Sequence, residues 1–241
     1  MARLELRGIT KSFKNGAVLD GVSLAADKGE IVVIFGPSGT GKTVLLRLIA
    51  GVHDPDRGSI FVDGEDMTDV GPDHRGIGMA FQNFALFPHM SAFDNIASPL
   101  AARHTAAGAI REGVERVARL LKIDQVLAHA PRELSNGQKQ RTALARSVIR
   151  EPKILILDDA LSSVDTDTEE KILRRLKEVM RRRTTILISH RCSTVRHADQ
   201  IVVLRGGRIV ERGTHEELLQ QGGYYYDLYQ KQLLEEELER A

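Results

Sequence analysis

The sequence predicts an α/β fold: a parallel sheet flanked by helices, with an antiparallel β subdomain near the N-terminus and an inserted helical subdomain. Three observations predict it. Nearly continuous apolar runs at 30–36 (EIVVIFG), 153–159 (KILILDD) and 184–190 (TTILISH) read as strands buried on both faces, as parallel strands are. Helical patterns lie between these runs, at 42–52 and from about Thr168 to Arg182. From about Asn83 to Arg150 the spacing is mostly helical, most clearly in AIREGVERVARLLKI at 109–123, so this block interrupts the strand–helix alternation.

Each element has its own signal. Residues 3–10 (RLELRGIT) alternate apolar and polar, and AVLDGVSLAA follows at 17–26 after the turn residues Asn15 and Gly16. The helical run KTVLLRLIAGV stops at Gly51. RGSIFVDGEDM at 57–67 reads as a hairpin turning at Asp63-Gly64. A second hairpin, DQIVVLRGGRIVERG at 199–213, turns at Gly206-Gly207, and the C-terminal stretch DLYQKQLLEEELERA reads as a polar helix.

Composition bounds the function. The chain has 241 residues and 42% hydrophobic content, enough for a sizeable core. Lys and Arg total 34 against 33 Asp and Glu, a balance that gives no reason to expect nucleic-acid binding. MRRRT at 180–184 reads as the solvated C-terminal end of a helix, where cations suit the dipole, rather than as a nucleic-acid patch. The single cysteine, Cys192, excludes an internal disulfide and suits a reducing cytosol. The start MARLELRGIT lacks a signal-peptide core, and no apolar run reaches the roughly 18 residues of a membrane span. The expectation is a cytoplasmic chain that is soluble by itself and able to dock on a membrane protein.

GPSGTGKT, Gly36 to Thr43, fits the pattern of Gly, four residues, then Gly-Lys-Ser/Thr, between a buried strand and an apolar helix. In such a P-loop the backbone N–H groups of Gly36, Ser38, Gly39, Thr40 and Gly41 turn toward one anion, aided by the positive end of the helix. Lys42 reaches the outer phosphates, and the Thr43 hydroxyl ligates Mg²⁺. The strand at 153–159 ends in two carboxylates, Asp158 and Asp159. Burying such a pair is expensive unless a cation sits beside it. Mg²⁺ on a bound nucleotide is that cation, and Asp158, at the carboxyl end of a parallel strand, is its natural partner.

Further residues narrow the choice. ELSNGQKQR at 133–141 precedes a helix, Gln82 follows the strand-like GIGMAF, and His190 ends TTILISH. With the P-loop and in this order they closely resemble the nucleotide-binding subunit of ABC transporters, over nearly the whole chain. The resemblance implies a P-loop NTPase core with its β subdomain at 1–82 and 151–241, and a helical signature subdomain at 83–150. It implies ATP held between two subunits, with Ser135, Asn136, Gly137 and Gln138 of one contacting the nucleotide on the other. Ser135 and Gln138 also form a capping box, which gives that helix a well-formed positive end. The resemblance assigns Gln82 to Mg²⁺ and the attacking water, His190 to the γ-phosphate and Phe13 to stacking on adenine. It assigns Asp165, in SSVD, to contact with the partner subunit. It further implies membrane permease partners and a place on the inner face of the cell membrane. The apolar residues of NFALFPHM (Phe84, Leu86, Phe87, Met90) are either the surface that docks that partner or subdomain core. A soluble ABC ATPase of DNA repair or translation is the other class; one short cassette without a long coiled-coil insertion argues against it.

The sequence departs from the family at two positions. The residue after the metal aspartate is usually Glu and here is Asp159, shorter by one carbon–carbon bond, roughly 1.5 Å. Misplacement by about 1 Å can cost on the order of a hundredfold. Slow hydrolysis is expected, and an ATP-driven dimerisation switch with little turnover is the alternative. Asn136 stands where the signature usually has Gly; Asn tolerates left-handed backbone angles better than most residues. The two ends also resemble different branches: residues 1–150 sugar-type importer ATPases, residues 153–235 exporter nucleotide-binding domains, particularly of heterodimers. The chain is read as a mosaic of two ATPase halves, natural or, as favoured, an engineered chimera joined near Pro152.

Overall fold

A computed structural model describes residues 2–14, 16–159, 180, 183–189 and 192–240. The expected helix at 168–182 lies almost wholly outside them, as do Asp165 and His190.

Among the described residues ten strands form two sheets. The smaller is antiparallel, in the order β2 (Gly16–Ala26), β1 (Leu4–Phe13), β4 (Arg57–Val62), β5 (Glu65–Asp66). The larger has the order β10 (Arg208–Gly213), β9 (Gln200–Arg205), β3 (Ile31–Phe35), β8 (Thr184–Ile188), β7 (Ile154–Asp158), β6 (Ile77–Ala80). All its pairings are parallel except the β9–β10 hairpin at the edge. The two hairpin turns have left-handed residues where their sequences predict them, at Asp63-Gly64 and Gly206-Gly207.

The continuous apolar strands divide their side chains between two cores with period two. Val32, Ile34, Ile154, Ile156, Ile186 and Ile188 point to one face, where helix α1 (Lys42–Ile49) and the antiparallel sheet cover them. Val33, Phe35, Leu155, Leu157 and Leu187 point to the other. There they meet α2 (Ala92–Ala101), α3 (Ala107–Leu120), α4 (Asn136–Val148), the short α5 (Cys192–Val195), α6 (His215–Gln221) and α7 (Tyr224–Arg240). The sheet is thus a partition with its functional edge at the carboxyl ends of β3 and β7.

Two buried polar side chains hold loops in place. Arg75 donates to the carbonyls of Leu48 and Ile49 at the end of α1, and to those of Thr68 and Val70. Asn95 is fully buried in α2, accepts from the Phe87 N–H and donates to the carbonyls of Phe87, Met90 and Ser91.

Three local expectations need correction. The helical block begins at Ala92 rather than Asn83. Residues 83–91 are irregular because Phe84 and Ala85 adopt left-handed angles and the Asn95 side chain, rather than a helix, takes up the loop's polar groups. Asn136 is not left-handed: it is the first residue of α4, in ordinary helical conformation. A helix not anticipated from sequence, α6, is started by a capping box between Thr214 and Glu217.

Candidate functional site

The loop from β3 to α1 is shaped by its glycines. Gly36 has φ 143°, and a side chain there would collide with the Leu204 carbonyl of β9. Gly41 has φ 97° and ends the loop as the residue before α1; a Cβ on it would lie 2.9 Å from a Leu19 methyl. Only glycine satisfies both the angle and the space.

Lys42 is buried, and its ammonium donates to the carbonyls of Gly36 (2.8 Å) and Pro37 (2.7 Å). The Thr40 hydroxyl also donates to Pro37 O, at 2.9 Å. Burial lowers the Lys42 pKa from its ordinary value, opposed by the nearby charges of Asp159 and Asp158. One residue on, the Thr43 hydroxyl donates to Asp158 Oδ1 at 3.0 Å, joining the start of α1 to the end of β7. Asp158 is 2% exposed. Burial raises its pKa; the Thr43 hydrogen bond and the charges of Arg47 and Lys42 oppose that rise, and Asp159 adds to it.

A cleft of about 300 Å³ opens over these groups. Ser38, Gly39, Gly41, Lys42, Thr43, Gln82, Asp158 and Asp159 all line it, with Val18 of β2 forming an apolar wall. The chain thus brings together residues from positions 38 to 159 that the sequence singled out. Asp159 has φ 47°, the left-handed region that Asp enters at less cost than most residues. A hydroxyl, a carboxylate and a side-chain amide in one cleft form a hard-oxygen donor set, which suits Mg²⁺.

Other predicted residues lie elsewhere. Phe13 is not in the core: it is 44% exposed, edge-on to His53 at 5.8 Å with Lys11 Nζ 5.6 Å from its ring. It does not line the cleft. Ser135 and Gln138 form the expected capping box, with the Gln138 N–H donating to Ser135 Oγ at 3.2 Å and the Ser135 N–H to Gln138 Oε1 at 2.8 Å. Ser135 and Asn136 are exposed, and none of the four signature residues lines this chain's own cleft. The apolar side chains of 84–90 are not core: Phe84, Leu86 and Met90 are half-buried and Phe87 is 43% exposed. Arg146 spans this segment, donating to Phe84 O at 3.0 Å with its guanidinium 5.5 Å from the Phe87 ring. Sequence reasoning missed Asn95 and Arg146. The signal for Asn95 was a polar residue at an apolar position of its helix.

Residues 19–162 match the family model for ABC transporters. The chain belongs to the ABC transporter family. It is the ATPase, or nucleotide-binding, domain of that family. The spermidine/putrescine import ATP-binding protein PotA of Haemophilus influenzae (strain 86-028NP) is 39% identical over 218 residues, 89% of this chain and 59% of that protein. The sulfate/thiosulfate import ATP-binding protein CysA of Bacillus cereus (strain ATCC 10987 / NRS 248) is also 39% identical, over 89% of this chain and 62% of its own. The chain therefore spans about three-fifths of the length of these relatives. A bacterial Atm1-family ABC exporter with ATP bound superposes with TM-score 0.84 and 34% identity, over 95% of this chain and 42% of that one. The cassette MJ0796, in a dimeric post-hydrolysis state with ADP and Pi, superposes with TM-score 0.82 and 28% identity, over 88% of this chain and 98% of its own. Matches to an import ATP-binding protein and to an exporter both run through Pro152. Among the described residues no helix is long and apolar enough to cross a membrane.

Proposed function

We propose that this ABC domain binds ATP with Mg²⁺ in the cleft above Lys42, dimerises around it and hydrolyses it slowly, driving transport through a membrane partner. The observation that carries this reading is the Thr43–Asp158 hydrogen bond, which joins the phosphate loop to an acidic strand end beside a buried lysine. The Lys42 ammonium, bonded here to two carbonyls of its own loop, exchanges them for the outer phosphates. The N–H groups of residues 36–41 and the start of α1 take the remaining phosphate charge. Thr43, Asp158 and Gln82 are the residues that would hold Mg²⁺. When bound, the metal neutralises charge on the β- and γ-phosphates. Asp159 orients the attacking water and accepts its proton. Its short side chain, on a left-handed backbone, is the reason turnover is slow.

Among the described residues, none of the signature group at 135–138 lines this chain's own cleft. Ser135 and the α4 N-terminus are exposed, and they suit the γ-phosphate on another copy or a related ATPase. Phe87 and its neighbours, fastened by Asn95 and Arg146, form a fixed apolar patch suited to a permease on the inner membrane face. The relatives carry names for polyamine, sulfate and sn-glycerol-3-phosphate import at similar identity, 38–39%. Similarity spread evenly over three cargo names supports the reading that cargo is chosen by the membrane partner.

Asp159 favours a second reading, a dimerisation switch with little turnover. ATPase rate against protein concentration, for wild type, Asp159→Glu and Lys42→Ala, separates the two. A rate that rises cooperatively with concentration and disappears in Lys42→Ala supports a hydrolysing dimer. ATP-dependent dimers with no turnover, unaccelerated by a membrane partner, support the switch. Equal rates in all three proteins contradict both.

A further inference from the structure

Gln140 in α4 is 2% exposed, yet neither its Oε1 nor its Nε2 has a hydrogen-bond partner among the described residues. Leaving a buried amide unpaired is costly, and such exceptions ask for a reason. If the position only had to be filled, an apolar side chain would serve, as Leu144 does one turn later.

Helical geometry places Gln140 opposite the Gln82 turn. Helix α4 packs on β6, where the Ser147 carbonyl lies against Gly78. Gln140 precedes Ser147 by two turns, so it lies on nearly the same face and about 10 Å nearer the helix start. The helix runs back toward the start of β7, which is parallel to β6, so α4 is antiparallel to both strands. Moving about 10 Å from Gly78 along β6, at about 3.3 Å per residue, reaches Phe81, next to Gln82. The same helix begins with the Ser135–Gln138 capping box two residues before Gln140.

We propose that Gln140 is a positioning residue for hydrolysis: its amide pairs with the peptide groups at Gln82 when ATP and Mg²⁺ engage the Gln82 side chain in the cleft that it lines. The unpaired amide is the nucleotide-free half of a two-state contact. It makes the signature helix and the Gln82 turn move together, so that one copy's α4 engages the partner's nucleotide only when its own cleft is filled. This rests on the reading of Gln82 as the residue facing metal and water.

The test compares wild type, Gln140→Leu, Gln82→Ala and the double variant, all as the full chain. Melting temperature is measured without nucleotide, and ATPase rate across a Mg²⁺ titration. Gln140→Leu is expected to raise the melting temperature by about 2–4 °C, because it removes an unpaired buried amide. It is expected to slow turnover about tenfold and raise the Mg²⁺ concentration at half-maximal rate. The double variant should be no slower than the slower single one, because the two residues act as a unit. The nearly isosteric Gln140→Met repeats the comparison in case leucine disturbs packing. A lowered melting temperature in both apolar variants, wild-type turnover, or a double variant as slow as the product of the singles each overturns the proposal. Full turnover in Gln82→Ala overturns the reading of Gln82 and the proposal with it. A slow Gln82→Ala beside a normal Gln140→Leu overturns the proposal alone.

Discussion

Asp158 is an ionisable group, 2% exposed, held where its charge is poorly tolerated. Because burial raises its pKa, the nucleotide-free fold binds this proton more tightly than the unfolded chain does. The contribution of Asp158 to stability therefore falls as pH rises through its unfolded value, and is recovered as pH falls. Asp56, Asp66 and Glu217 act in the opposite sense: hydrogen bonds lower their pKa values, so their contributions are lost as pH falls. Asp158→Asn isolates the first effect. The variant should melt higher than wild type without nucleotide at pH 7, by about 2–4 °C, with the gap closing toward pH 4. A lower melting temperature at pH 7 would show the carboxylate to be structural. Asp159 is the complementary case. Asp159→Glu restores reach at a small backbone cost, since Glu is less at ease than Asp at φ 47°. Turnover per subunit should rise ten- to a hundredfold, read from the steady-state rate; an unchanged rate would show that the length of the residue-159 side chain does not limit turnover.

At the scale of elements, two junctions fix the site's surroundings. Arg75 ties the end of α1 to residues 68–70 through four carbonyls. Arg75→Leu leaves those buried carbonyls unpaired and should lower unfolding free energy by about 3 kcal/mol or more, measured by urea denaturation. A loss below about 1 kcal/mol would mean that water replaces the guanidinium. The second junction seats the C-terminal helix. Tyr225 is fully buried, 5.3 Å from Phe35 at the end of β3, and its hydroxyl lies 2.8 Å from His215 Nδ1. Tyr229 stacks on it, and Glu211 accepts from the N–H groups of Tyr224 and Tyr225. Burial, then the charge of Arg196, lowers the His215 pKa, with Glu216 opposing. The neutral ring therefore contributes stability above pH about 6.5, which is lost as pH falls through the lowered value. His215→Gln should flatten the decline in melting temperature between pH 7.5 and 5; an unchanged slope would exclude His215 as its source. These elements differed in how legible they were. The strands could be read because burial on both faces leaves unbroken apolar runs. The boundary at Ala92 could not, because Phe84, Leu86 and Phe87 imitate core spacing while the loop is held by an asparagine. Helix α6 carried a readable signal, Thr214 to Glu217, that the polar residues around it obscured.

At the scale of the molecule, the six-stranded sheet separates a core under α1 from a core under the helical subdomain and delivers Lys42, Thr43, Gln82 and Asp158 to one end. This convergence was legible because the phosphate-loop pattern and the strand-end aspartate each have a physical reason to exist only beside the other. The position of Phe13 was not, because one aromatic at the end of a strand does not show which way its ring faces; it stands 44% exposed beside His53 and Lys11. The signature residues form a capped helix start that does not line this chain's own cleft. The most direct measurement is a calorimetric titration of ATP into the nucleotide-free protein, with Mg²⁺ and with EDTA, for wild type and Asp158→Asn. Mg²⁺ is expected to tighten binding in wild type, and Asp158→Asn to abolish this gain. Binding that is equally tight in both proteins, with and without metal, would contradict that expectation.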